Sequence, residues 1–263
     1  MLRKSKIRLL ASMIFILALA FVCSVGAEEE VKFDPAKEKS VVFLNPTSDE
    51  VFGSVAGKVS AKQLAANTGG TGATALYGFS TGVSKEKGSF KLGVLLADVT
   101  ITLKANDKEK SKAALKALID GLGKLRAPAE MIESFSNLNG AMAQATDVKV
   151  LADAVVPIMR PFINKFVTEQ GMLEYLTLGE HCEGIKLVAS RADANNIKEL
   201  QAALVQPEAA QNFVDMLSKK PGTPEGVTKA LNELAALKAA EVTDLRSVAK
   251  IKGCVDNILQ FMS

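Results

Sequence analysis

An all-α fold, a bundle or irregular stack of about nine antiparallel helices, is what three features of this sequence predict. Ala, Leu, Lys and Glu are plentiful while aromatics make up only 5% of residues, with no Trp, the composition of a helix-rich chain. Apolar residues recur at spacings of three and four through most of its length. Proline, glycine and capping residues interrupt these runs so as to leave links of roughly two to eight residues, which suit antiparallel neighbours.

The first 27 residues stand outside that pattern. Arg3, Lys4, Lys6 and Arg8 border an uncharged apolar run from Leu9 to Val22, and Val25-Gly26-Ala27 supplies a small-residue exit. A basic start, a short greasy middle and a small exit describe a secretory signal peptide cleaved between Ala27 and Glu28. As a membrane anchor the run sits at the short limit for a hydrocarbon core of roughly 30 Å, and Glu28-Glu29-Glu30 follows in place of more apolar sequence. Cys23 is a poor acylation site, because bulky Val22 stands where a small residue is expected. The expected location is therefore periplasmic or secreted, with no stable membrane span after cleavage.

Cleavage would leave 236 residues, 28–263, read as a single helical domain with a loosely ordered start over 28–46. All 29 acidic residues follow position 27 and four of the 32 basic ones precede it, so the mature chain carries −1 where the full chain carries +3. A nearly neutral chain has no electrostatic footprint for nucleic acid or an acidic membrane.

In chain order, Val41 to Leu44 reads as a short strand or extended strap, since Pro46 disfavours helix just before it. Thr47 with Glu50 forms a capping box, and Val51, Phe52, Val55, Val59 and Ala66 give the first helix its stripe. Thr68 to Gly82 is rich in Gly and Thr. Its Gly70-x-Gly72-x-x-Ala75 looks like a dinucleotide loop only superficially, because the residues ahead of it read as helix where that loop needs a buried strand. Phe90 to Ala105 is apolar almost all round. Val99-Thr100-Ile101-Thr102 favours strand locally, but 16 residues is long for a strand, which makes this the central helix.

Helical signals then become regular. Asn106 with Glu109 caps a helix carrying Leu115, Leu118, Leu122 and Leu125. Pro128 opens the next, with Met131, Ile132, Phe135 and Leu138, ending near Asn139-Gly140. Asp147 caps a helix with Val148, Leu151 and Val155 on one face. Pro157 and Pro161 each remove a donor and predict a break or kink before Phe162, Ile163 and Phe166 resume the pattern. Gly171 to Arg191 is an apolar helix whose Leu178, Cys182, Ile185 and Ala189 share a face. Asp193 caps a short helix, Pro207 starts one bearing Phe213, Met216 and Leu217, and Lys219 to Gly226 is the clearest loop. Thr223 caps a helix with Pro224 at its first position and Leu231, Leu234 and Leu237 on its stripe. The last begins near Thr243 and presents Leu245, Val248, Ile251, Val255, Ile258 and Phe261. No fixed repeat marks a solenoid.

Cys182 and Cys254 are the only thiols after cleavage. An oxidising exterior favours a disulfide between them, worth roughly 4 kcal/mol in the chain-entropy model for so long a loop; two buried thiols acting as small hydrophobes are the alternative. His181, the only histidine, lies in Gly179-Glu180-His181-Cys182-Glu183. Adjacent helical positions point about 100° apart, so His181 does not activate Cys182, and one His with two dispersed Cys falls short of a zinc set. A surface or packing role is expected. Carboxylates beside lysines, as in Asp107-Lys108-Glu109-Lys110, read as solvated faces. The sequence has no GxSxG and no second histidine for a Ser-His-Asp triad, so it assigns no catalytic, metal or cofactor residue.

The expected function is that of an exported, non-enzymatic interaction or scaffold module for an unknown protein partner. One alternative is a periplasmic carrier of an apolar small molecule such as lipid, suggested by aliphatic Phe90–Leu103 and a gap at Pro157/Pro161. The other is an enzyme whose site the known motifs miss. N-terminal sequencing of protein exported by its native host is expected to begin at Glu28, and a start at Met1 would remove the basis for the assigned compartment.

Overall fold

The computed structural model describes residues 45–69 and 82–263, with every side chain among them except those at 153–155. Eleven α-helices follow one another in these residues: α1 (Ser48–Ser54), α2 (Ala61–Ala65), α3 (Lys85–Lys104), α4 (Lys108–Lys124), α5 (Ala129–Gln144), α6 (Lys149–Glu169), α7 (Leu173–Ala189), α8 (Ile197–Leu204), α9 (Pro207–Leu217), α10 (Glu225–Ala235) and α11 (Leu245–Phe261). A 3-10 turn at Ala239–Glu241 precedes the last, and no strand occurs among the described residues. The protein is an all-α bundle.

Two of these helices lack a solvent face along most of their length. Every residue of α3 from Gly88 to Leu103 is buried, as is most of α7 from Tyr175 to Ala189. The two pack against each other over the most extensive contact in the fold, with α4 and α6 also on α3 and α11, α1 and α8 also on α7. Glycine makes the crossing close. A Cβ at Gly93 would overlap the carbonyl oxygen of Leu176, and one at Gly179 would overlap that of Phe90. Backbone therefore lies directly on backbone where α3 meets α7, a separation no larger residue permits. Gly184 extends the seam on the other side of α7, where a Cβ would stand 3.3 Å from Val51 of α1.

The β-branched patch at Val99–Thr102 stays helical because its hydroxyls are satisfied within the helix. Thr100 Oγ1 donates to the Leu96 carbonyl and Thr102 Oγ1 to that of Asp98, both at 2.7 Å. Fully buried Phe90, Leu92, Leu95, Leu96, Ile101 and Leu103 then supply apolar burial at about 2 kcal/mol per side chain. That burial outweighs a local strand preference spanning about 1 kcal/mol.

Several boundaries differ from the sequence reading. The Thr47/Glu50 capping box is present, but α1 ends at Ser54, and Gly57 at φ +82° turns the chain into α2, which Ser60 and Gln63 cap in the same way. Leu64 and Ala65 fill the core there while Ala66 is exposed. Asp107, not Asn106, caps α4; Asn106 adopts φ +58° and accepts from the Val148 amide at 2.9 Å. Helix α5 continues through Gly140 to Gln144, where a solvent-facing glycine costs only about 1 kcal/mol. Pro224 rather than Thr223 is the cap position of α10, and Asp244 caps α11.

The break expected at Pro157 and Pro161 is absent: α6 runs through both. Both prolines face solvent. Being four residues apart, they place their missing donors on one side of the helix, where water can serve the freed carbonyls. The strap at Val41–Leu44, the Gly70–Ala75 motif and the cleavage site Ala27/Glu28 lie outside the described residues. No helix of the described residues is long and apolar enough to cross a membrane.

Gly179→Ala is expected to destabilise the protein by about 3 kcal/mol, because its methyl meets backbone that cannot rotate away. Gly140→Ala, with nothing within 4 Å of the added carbon, should be neutral or stabilising by up to about 1 kcal/mol. Urea unfolding of the two variants measures the difference, and equal stabilities would refute the close crossing.

Candidate functional site

A buried set of ionisable side chains sits on α7, in the segment that holds the single histidine. Glu180, His181 and Glu183 are each at most 2% exposed, which a helix reserves for paired or neutral groups. Glu180 is held from two directions. Arg160 of α6 forms an ion pair with it, and Ser48 at the start of α1 donates its hydroxyl at 3.1 Å and its amide at 3.4 Å. Burial raises the Glu180 pKa, with Arg160 and then Ser48 acting against that rise.

His181 points toward α9. Its ring lies against Phe213 of α9, centroids 5.4 Å apart and tilted by 48°, and a ring N–H donates to the Pro46 carbonyl. Nδ1 has no hydrogen-bond partner among the described residues. Burial depresses the imidazole pKa to about 4, the Pro46 carbonyl opposing the shift, so the ring is neutral near pH 7 and packs as a core residue. Asn45 continues this lashing of the incoming chain, accepting at 2.8 Å from the Asn212 amide of α9.

Glu183 pairs with Lys186 one turn on, at 2.6 and 2.7 Å. Burial pulls the Lys186 pKa down, but attraction to Glu183, then to Asp98 of α3 and Asp256 of α11, more than offsets it and the pKa rises. Asp256 is itself 2.7 Å from Lys252. Charged groups thus alternate in sign where α3, α7 and α11 meet.

The disulfide expected between Cys182 and Cys254 is not formed; both are free, buried thiols. Cys182 packs in the core of α7, where burial raises its pKa strongly. Cys254 points instead toward α10, its Sγ 3.4 Å from Glu233 Oε2, and burial followed by that carboxylate pushes its pKa up to about 11. Thiols held protonated in this way are poor nucleophiles.

The lysines of Asp107–Lys110 do not simply face water. Lys108 Nζ donates to the Ala143 and Ala145 carbonyls at the end of α5, at 2.6 and 3.0 Å. Lys110 Nζ does the same at the end of α2, to Ala65 and Ala66 at 2.7 and 3.1 Å. Each lysine thereby donates to carbonyls at the C-terminal end of another helix.

Of the residues singled out in the sequence, the structure gathers Glu180, His181, Cys182 and Glu183 into one buried layer and leaves Cys254 against a different helix. Sequence reasoning missed Arg160, Ser48 and Lys186 as partners. The available signal was the pair Gly179 and Gly184 inside an otherwise apolar helix, which marks close packing on both sides of the charges. A substrate would reach this layer only if helices parted, so its evident chemistry is to tie α1, α6, α9 and α11 to the central pair. No cluster of His, Cys, Asp and Glu suited to a metal ion occurs among the described residues. No protein-family model, curated protein or solved structure matches this chain.

Protonating His181 would place a second N–H at an Nδ1 that has no acceptor. Its native pKa of about 4 lies below the unfolded value of about 6.5. The stability this site contributes is therefore whole above pH 6.5 and falls by about 3 kcal/mol as the pH drops through 4. Glu180, with a raised pKa, acts in the opposite sense, so the comparison must be made with its partner groups unchanged. His181→Gln should unfold with a flatter pH dependence between 6.5 and 4 than the native chain; identical slopes in urea titrations would refute the assignment.

Proposed function

We propose that this chain is an exported, non-enzymatic helical protein that acts by presenting helix surfaces to a protein partner. The observation that supports this most is the outward face of α6. Val150 is 64% exposed and Ile158 40% exposed, and Pro157 and Pro161 face solvent beside them. Two apolar side chains left in water on one helix, where most other large aliphatics among the described residues are buried, suit recognition of a partner. Two prolines also stiffen that face against rearrangement. The commitment of His181, Cys182 and the α7 carboxylates to packing is in keeping with the same reading.

Carriage of an apolar ligand finds less support. It rests on Phe90–Leu103 lining a cavity, and those residues are buried between helices that pack directly on them. The break at Pro157 and Pro161 that suggested a gap is absent from the continuous α6. An enzyme acting through an unrecognised site has no specific observation in its favour.

Chemical cross-linking in the native host should yield a discrete protein adduct that Val150→Asp with Ile158→Asp abolishes, while circular dichroism of the variant stays helical. No adduct from the native chain, or one indifferent to the substitutions, would count against the proposal. Native mass spectrometry retaining a lipid on the purified protein would favour the carrier instead.

A further inference from the structure

A cleft of about 540 Å³ opens at one end of the bundle, between the start of α3, the turn from α4 to α5 and the end of α6. Its walls are Gly82, Val83, Lys85, Lys124, Leu125, Arg126 and Gln170. Three of these seven carry a positive charge and none is acidic. We propose that this cleft binds a phosphorylated anion.

Among the described residues some cations are engaged and others, such as Lys116 and Lys198, are not; what sets Lys85, Lys124 and Arg126 apart is that they line one cleft. Lys104, Lys112, Arg160, Lys186, Lys220 and Lys252 each stand against a carboxylate, and Lys108 and Lys110 are spent on helix carbonyls. Lys85, Lys124 and Arg126 have neither kind of partner among the described residues. Three like charges around one concavity repel one another, and an anion between them relieves that repulsion while accepting charge-assisted hydrogen bonds. The main chain that carries the exposed Arg126 side chain is fixed by the fold. The residue lies at φ +63°, its amide donates to the Gly123 carbonyl at 3.1 Å, and Leu125 beside it is buried against α3, close to Gly88. Gln170 adds a neutral side-chain amide to the lining. The guanidinium supplies a planar donor fork suited to phosphate oxygens, the two ammonium groups point charges.

A free phosphate compound and a phospholipid headgroup present the same chemistry, and the experiment separates them. Inorganic phosphate and pyrophosphate are titrated into the purified full chain at constant ionic strength, followed by isothermal calorimetry. In parallel the chain is sedimented with phosphatidylglycerol vesicles and with neutral phosphatidylcholine vesicles. Saturable binding in either arm is expected, weakened by about tenfold or more in Lys124→Gln/Arg126→Gln and unchanged in Lys116→Gln/Lys198→Gln. Binding to free phosphates identifies a soluble ligand, and binding to the anionic vesicles alone identifies a headgroup. Absence of saturable binding in both arms, or equal binding by the two double variants, overturns the proposal. Both variants alter exposed side chains, and a native circular dichroism spectrum verifies that each is folded.

Discussion

The contact on which this fold depends is the crossing of α3 and α7 at Gly93 and Gly179. With no side chain between them, the two helices meet backbone to backbone, and each presents its remaining circumference to other helices. A helix enclosed on all sides has nowhere to send its polar residues. That is why Glu180, His181 and Glu183 cannot reach water from α7 and must find partners in the protein.

The polar layer follows from that enclosure. A buried carboxylate without a counter-charge would neutralise or destabilise the fold, and at Glu180 Arg160 and Ser48 oppose this. Each partner lies on a different helix, so the requirement to satisfy α7 also dictates where α1 and α6 attach. His181 extends the same logic by accepting neutrality and binding the Pro46 carbonyl. The entry of the chain into the bundle is thereby pinned by three successive contacts, at Asn45, Pro46 and Ser48. Lysines do a related service at helix ends, where Lys108 and Lys110 donate to the C-terminal carbonyls of α5 and α2.

Much of the helical layout was legible in the sequence, because its causes are local. A Thr-x-x-Glu box, a proline at a first turn and leucines at spacings of three and four act within a few residues, and the structure has helices at each. The candidate site was much less legible. Ser48 and Glu180 are 132 residues apart, and no periodicity links them. The lysines after Asp107 carry the same local pattern as a solvated face, yet neighbouring helix ends claim them. Pro157 and Pro161 illustrate the converse: their chemistry predicts a break, but the face they occupy looks outward, and there the lost donors are tolerated.

By itself the sequence determined the class of fold, the central helix at Phe90–Ala105 and the Thr47/Glu50 capping box, since these rest on the hydrogen bonding and apolar spacing of contiguous residues. Only the tertiary structure decided which charges were buried, which cysteine met which neighbour, and which cations were left facing a common cleft. The reason is that burial and pairing depend on how close separate helices come, and here that distance is set by two glycines 86 residues apart.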